Sequence, residues 1–388
     1  MSTTCLHTWL SERVTACPWT SYLVFSVGAF TVARFLLKTS SVLAQTFVLH
    51  GKNLETFGAT KGSWAVVTGA SDGIGKAFAL QLAAAGFNVL LVARNEVALT
   101  AVAAEIGMSV LICVVVAHDS IPGSKTAGKV EARIQLTDFA KNDPATLNAL
   151  KSAVSGLDVG VLGKYSPFPS AYSLNQRVIT TVNNVGKAYT LPTYFAETTE
   201  QEIEDIVTIN IKGTLRVTHA VLPRMIQQKR GLILNVGSFA GEISSPMLST
   251  YSSTKTFLST FTSALAEEMR PHNIMVQYLN TFMVATKMIR PHGSSMLAPT
   301  PTAYVHSVLS KIGLSCGAAF SDRPDTLTPY WSHALLDYLF HVFECKTLCV
   351  SSFHKMAKEH RRSLQKLDQE AKQQWGSESG DMLFVRKV

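Results

Sequence analysis

The segment WAVVTGASDGIGKAFALQLAAAG, residues 64–86, decides the fold. Residues 64–67 are apolar and few, as in a buried strand, and residues 76–85 read as a helix closed by Gly86. Between them the loop TGASDGIG (68–75) has glycines at 69, 73 and 75. A tight turn, a close approach of backbone to phosphate, and close helix packing each exclude a Cβ at one of these points. The following helix turns its free N–H groups and positive dipole end towards the loop, an arrangement that holds a pyrophosphate. Gly69, Ser71, Asp72, Gly73, Ile74 and Gly75 are therefore the expected cofactor loop, since these glycines stand between a strand and a helix rather than alone.

Outward from this unit the rhythm repeats. Residues 87–92 read as a strand, 96–106 as a helix, 134–136 as a weak strand and 144–155 as a helix. Further on come a long helix (200–222), a strand (231–236), a second long helix (250–269) and a strand (274–278). Alternating strands and helices predict an α/β fold with a doubly wound parallel sheet of about seven strands, Rossmann-type and covered on both faces. At the end of the second strand an NAD site would carry an acid for the ribose 2′-hydroxyl. Here stand Ala93, Arg94 and Asn95, and a guanidinium suits a 2′-phosphate, so the expected cofactor is NADPH.

The helix 250–269 opens with YSSTK. Tyr251 and Lys255 are four residues apart, so both leave one helix face towards the same point. A free tyrosine, with a pKa of about 10, is a poor acid–base group at neutral pH, but an adjacent ammonium favours the phenolate. Ser238, in NVGSFAG, follows a buried strand and is placed to hydrogen-bond a substrate carbonyl. Asn210, in VTINIKGT, is placed to hold a water linking the lysine to solvent.

Composition narrows the class. Among 388 residues 47% are hydrophobic and only 16% charged, which argues for a filled core rather than disorder. Six cysteines form no CxxC pair and sit beside no histidine cluster, so they read as reduced thiols and no metal is expected. The net charge of +8 comes without a basic run interleaved with aromatics, and nucleic-acid binding is not expected. Residues 14–33 carry no charge and, with flanks, suit a transmembrane span over about 14–37. Arg34, Lys38 and Lys52 follow the span while Arg13, offset by Glu12, precedes it, so the large domain is expected in the cytosol. The organisation read from the chain is a tail and membrane anchor (1–50), a cofactor-binding domain (62–286), and a substrate cap with a basic, helical C-terminal extension (287–388).

Taken together, TGASDGIG, Asp138, NNVG (183–186), Asn210, Ser238, Tyr251 and Lys255 resemble the short-chain dehydrogenase/reductase family over about 62–286. That resemblance implies that the tyrosine is the proton donor, that the lysine lowers its pKa and binds the nicotinamide ribose, and that the serine orients the carbonyl. It also implies that Asp138 and Asn183 line the adenine side and that Val284 and Thr286 lie on the nicotinamide side. The likeness extends to fungal very-long-chain 3-oxoacyl-CoA reductases through the anchor, LPTYFAET, GSFAGEISSPMLSTYSSTK and SVLSKIGLSCGAAFS. This implies an acyl-CoA substrate, fatty acid elongation in the endoplasmic reticulum membrane, and an elongase, a 3-hydroxyacyl-CoA dehydratase and an enoyl-CoA reductase as partners. The chain departs from the pattern at Asn280 and Thr281, where the family has Pro-Gly.

Two stretches break the rhythm, at about 108–129 and 163–181. The second falls inside a strand that should run from 157 into Asn183 and Asn184, and Pro167 and Pro169 cannot serve a central ladder. Either 157–162 pairs and the rest loops out, or 178–182 takes over; both are expected to misplace part of the cofactor wall. Their lengths suit retained introns, which makes a catalytically impaired product one alternative. A 17β-hydroxysteroid or retinoid dehydrogenase is another, because pocket residues set substrate choice. A catalytically silent scaffold is opposed by the intact pairing of Tyr251 with Lys255.

Overall fold

The computed structural model describes residues 18–118, 130–141, 143–158, 179–287, 294–344 and 346–374. The first residues of the expected span, the later half of the first expected insertion, most of the second and the end of the C-terminal extension lie outside these.

Seven parallel strands form one sheet in the order β3-β2-β1-β4-β5-β6-β7. They are β1 (Trp64–Thr68), β2 (Asn88–Ala93), β3 (Ala132–Leu136), β4 (Ile179–Asn183), β5 (Gly231–Val236), β6 (Ile274–Leu279) and β7 (Thr326–Leu327). Every residue of β1, β4 and β5 is buried, because helices cover both faces and leave no side of these strands to water. The strand order reverses between β1 and β4, and the crevice outside their carboxyl ends is where this architecture binds ligands.

The helices are α1 (Pro18–Leu43), α2 (Gly73–Ala84), α3 (Glu96–His118), α4 (Pro144–Ser155), α5 (Glu200–Val207), α6 (Thr214–Gln228), α7 (Ser249–Met269), α8 (Pro301–Ser310), α9 (Trp331–Val342) and α10 (Lys346–Gln374). On one face Val67, Val182, Leu232 and Leu279 meet Phe78 and Leu82 of α2 and Tyr304 and Val308 of α8. On the other, Val66, Ile179, Ile233 and Val276 meet Val217, Val221 and Met225 of α6 and Leu265 and Met269 of α7. The helix expected over 200–222 is interrupted by a wide π-type turn, Thr208–Gly213, which carries Asn210. Such turns recur at functional sites.

Three expectations change. The domain boundary at 286 is too early, since α8 packs into the main core and β7 pairs with β6. Only short elements separated by loops carry this part, so its pattern is weak in the sequence. The first expected insertion begins within a helix, because α3 continues through residues 108–118. The second overlaps the sheet: Ile179, Thr180 and Thr181 belong to β4, paired with β1 and β5. The later half of that interrupted stretch supplies the strand, and just beyond it the backbone N–H groups of Asn184 and Val185 both donate to Thr68 Oγ1.

Residues Trp19–Val48 are long and apolar enough to cross a membrane, with a mean hydropathy of 1.5. The helix outlasts the expected span because its last turns are fastened to the domain. Thr39 Oγ1 and Tyr338 Oη are 2.6 Å apart, and Val42 is buried with Ala319, Tyr338 and Val342. Gln45 Oε1 accepts from the N–H groups of Ser315 and Cys316, Lys311 Nζ donates to Leu49 O, and Lys38 Nζ lies 5.4 Å from the Phe320 ring centroid.

Candidate active site

The glycine loop leaves β1 and enters α2. Gly69 has φ +64°, and a Cβ at Gly75 would lie 2.1 Å from Gly69 O, so this tight closure admits only glycine there. Asn184 Nδ2 donates to Thr68 O at 3.2 Å and approaches Gly69 O at 3.4 Å, bracing the loop against β4. Asp72 makes no side-chain cap at α2 and instead pairs with Lys287 at 3.2 Å, which leaves the first N–H groups of α2 free for a ligand. Ser71 and Ile74 are half-buried in the loop, Ile74 packing on the core.

Thr286 closes over this loop, its methyl 3.2 Å from where a Gly73 Cβ would be. Val284, two residues earlier, is buried in the core. Arg94 and Asn95 are exposed just beyond β2, and Asn95 Oδ1 accepts from Ala98 N as a cap of α3. Asp138 stands at the end of β3 beside them, its carboxylate accepting from Ala140 N. Asn183 does not line this crevice. Strand alternation turns it to the α6 face, where its amide donates to Thr218 Oγ1 and Asn235 Oδ1. Asn184, one residue on, has the loop-bracing contacts instead.

The chemistry-bearing residues converge between β5 and α7. The Ser238 hydroxyl, which accepts from Ala240 N at 3.2 Å, stands near enough to the Tyr251 phenol to favour its ionised form, and Lys255 Nζ lies 5.7 Å from the Tyr251 ring centroid. Lys255 is buried and donates to Val236 O at 2.9 Å; burial pushes its pKa down to about 8. Burial also pushes the Tyr251 phenol above its usual range, and the nearby Ser238 hydroxyl offsets this only in part. The lowering expected from the ammonium does not dominate, and Tyr251 stands as a neutral phenol at neutral pH.

Asn210 Oδ1 accepts from Lys187 N at 2.7 Å, while Nδ2 donates to Lys187 O and to Thr254 Oγ1, both at 3.0 Å. Both amide hydrogens are thus committed to holding the 186–187 turn against α7. A Cβ on Gly186 would stand 3.6 Å from Asn210 Oδ1 and 3.7 Å from Lys255 Nζ, so the bare glycine keeps open the space that borders both.

Beside Ser238 is an aromatic wall that the sequence did not disclose. Phe239 meets Phe282 at 5.1 Å and Phe340 at 6.4 Å between centroids, and His333 lies 5.2 Å from Tyr330. Burial drives His333 down to about 4, so it is neutral and acts as part of the wall. A lone histidine in an apolar run carries no signal of this. Asn280, the departure after β6, donates through Nδ2 to buried Asp337, which also pairs with Arg323 at 2.7 Å. Thr281 Oγ1 lies 2.6 Å from Tyr304 Oη. These bonds fix the segment leading to Thr286 where the family pattern uses Pro-Gly. Among the described residues no cluster of metal-ligating side chains occurs.

With this geometry in place, the comparisons are informative. The short chain dehydrogenase family model matches residues 63–135 and 171–296. The chain is 49% identical over 92% of its length to a very-long-chain 3-oxoacyl-CoA reductase of Laccaria bicolor, covering 95% of that protein. A reductase of the same name from Coprinopsis cinerea matches at 49% over 92% of this chain and 94% of its own. Among solved structures, a 7β-hydroxysteroid dehydrogenase superposes with a TM-score of 0.58 at 22% identity, covering 78% of this chain and 99% of its own, which shows the fold. A Sphingobium yanoikuyae short-chain dehydrogenase in complex with NADPH gives 0.52 at 24%, covering 73% and 94%. The glycine loop, the Ser238–Tyr251–Lys255 group and the matches along nearly the whole chain have one reading: the protein belongs to the short-chain dehydrogenase family, among the fungal very-long-chain 3-oxoacyl-CoA reductases.

Proposed function

We propose that the protein reduces the 3-keto group of very-long-chain 3-oxoacyl-CoA to the 3-hydroxyacyl-CoA, with NADPH as reductant. The observation that carries this is the 49% identity over 92% of the chain to reductases of that name, joined to the placing of the Lys255 Nζ 5.7 Å from the Tyr251 ring centroid. The closed loop at Gly69 and Gly75 and the free N-terminus of α2 fit a pyrophosphate, exposed Arg94 a 2′-phosphate, Asp138 the adenosine end and Thr286 the nicotinamide end. When bound, NADPH supplies the hydride. The chain's own residues manage the oxygen: neutral Tyr251 donates its proton to the developing alkoxide, and Ser238 hydrogen-bonds the same oxygen. Lys255 holds a positive charge behind the phenol, stabilising the phenolate left after transfer.

In this reading α1 anchors the enzyme in the endoplasmic reticulum membrane with the catalytic domain in the cytosol. Its partners are the elongase, the dehydratase and the enoyl reductase that supply the substrate or consume the product. The decisive experiment follows NADPH oxidation by the purified full-length protein with a long-chain 3-oxoacyl-CoA and, separately, with a 17-ketosteroid. Faster turnover of the acyl-CoA is expected; preference for the steroid overturns the substrate, and no turnover of either overturns the activity.

A further inference from the structure

We infer that Tyr278 is a positioning residue, whose hydroxyl holds the backbones of Ser238 and Lys255 in register so that the Ser238 side chain meets Tyr251. This rests on the roles proposed above for Ser238, Tyr251 and Lys255.

Tyr278 lies on β6, opposite Asn235 of β5, and is fully buried. Beyond Val236 the backbone is still tied to the neighbouring strand: Gly237 N donates to Leu279 O and Phe239 N to Thr281 O, each at 2.9 Å. Those bonds serve residues 237 and 239 and pass over 238. The Ser238 N–H donates instead to Tyr278 Oη at 3.0 Å. The phenol has one proton to give, and two carbonyls stand within reach of it, Ser238 O at 3.2 Å and Lys255 O at 3.3 Å. One hydroxyl therefore bridges the end of β5 to α7 at the two residues that flank Tyr251 in the proposed chemistry.

The ring itself sets a second requirement. A Cβ at Gly237 would lie 2.0 Å from the Tyr278 ring, so the glycine before Ser238 is what lets the ring reach this place. Phenylalanine would fill the same volume. The hydroxyl therefore serves a purpose beyond packing, because a buried phenol oxygen is costly unless bonded, and here its bonds all go to these two residues.

The test is Tyr278→Phe in the full-length protein, alone and combined with Ser238→Ala. In the parent background a fall in kcat of about 10- to 100-fold is expected, the scale of misplacement by less than about 1 Å, with the KM for NADPH unchanged. In the reverse oxidation, which needs the Tyr251 phenolate, the acidic limb of the kcat–pH profile should move to higher pH, because Ser238, which favours the phenolate, is no longer held towards it. In the Ser238→Ala background the same substitution should cost little and leave the limb in place. Equal losses in both backgrounds with an unmoved limb would mean that Tyr278 is merely structural and would overturn the inference alone. Parental kcat in Ser238→Ala would overturn the catalytic reading and this inference with it. Should Tyr278→Phe not fold, 3-fluorotyrosine at position 278 keeps the shape and weakens the acceptor; a shifted limb supports the inference and an unshifted one overturns it.

Discussion

Replacing Thr180 and Thr181 by valine is expected to stabilise the protein. Both threonines are fully buried in β4, at the centre of the sheet, and neither Oγ1 has a hydrogen-bond partner among the described residues. A buried hydroxyl left unbonded costs about 1–3 kcal/mol. Valine keeps the branched shape and the preference for strands while putting a methyl where the hydroxyl stands. The two side chains leave opposite faces of the strand, so their effects should add, giving about 2–6 kcal/mol together. For a protein of this size, at about 1.2 °C per kcal/mol, that corresponds to a rise of between about 2 and 7 °C in the unfolding midpoint. Intrinsic fluorescence of the detergent-solubilised full-length protein reads it directly. A double variant that melts at or below the parent would refute the reasoning, because the hydroxyls would then be bonded. The same positions bear on residues 163–181. Joining Leu162 to Val182 would put Val161 and Leu162 where Thr180 and Thr181 stand, at the expense of Gly160 in place of Ile179. A working message without this stretch is the expected outcome of transcript sequencing, and messages that retain it, with full activity of the 388-residue protein, would show that it belongs.

Other outcomes can be stated more briefly. Tyr251→Phe should lose about 10²-fold or more in kcat while still binding NADPH; residual activity within about tenfold of the parent would remove Tyr251 as the acid. Lys255→Met should be inactive yet more stable than the parent at neutral pH, since holding Lys255 at about 8 against 10.5 costs about 3 kcal/mol, less the bond to Val236. Between those values the unfolded chain binds a proton that the folded one lacks, so the parent gains stability as pH rises from about 8 to 10.5 and the margin should shrink; a margin independent of pH counts against the burial argument. Arg94→Ala should lower kcat/KM for NADPH far more than for NADH, and equal effects on both would deny Arg94 the 2′-phosphate. Asp337→Ala should destabilise by about 3–5 kcal/mol by leaving Arg323 buried with Glu242 alone, which a chemical denaturation midpoint would show.

The parts of this molecule written in contiguous residues were legible from the chain. A glycine loop between a strand and a helix, and a tyrosine and lysine one helical turn apart, keep their meaning in any sequence context, because local geometry alone brings them together. What needs the fold to assemble was not legible. Asn183 and Asn184 look equivalent in NNVG, and only the strand's alternation sends one towards α6 and the other towards the loop. Asn280 reads as a departure from a pattern until Asp337, far along the chain, is placed beside it. The Tyr251 phenol was expected to be shifted downward by its ammonium neighbour, whereas burial, which no motif encodes, pushes it up. The helix α8 and the two-residue strand β7 are short, and their place in the main core rests on Tyr304, Val308 and Leu327 meeting distant partners.

The fastening of α1 to the domain bears on how the enzyme sits. A flexible linker would let the body swivel beneath its anchor and sample many heights above a bilayer. Here Thr39, Gln45 and Leu49 fasten the end of the apolar helix to Tyr338, to Ser315 and Cys316, and to Lys311. A helix fastened in this way would turn together with the domain. Any tilt that a bilayer imposes on the helix becomes a tilt of the sheet, so membrane thickness is converted into the angle and distance at which the crevice meets the lipid surface.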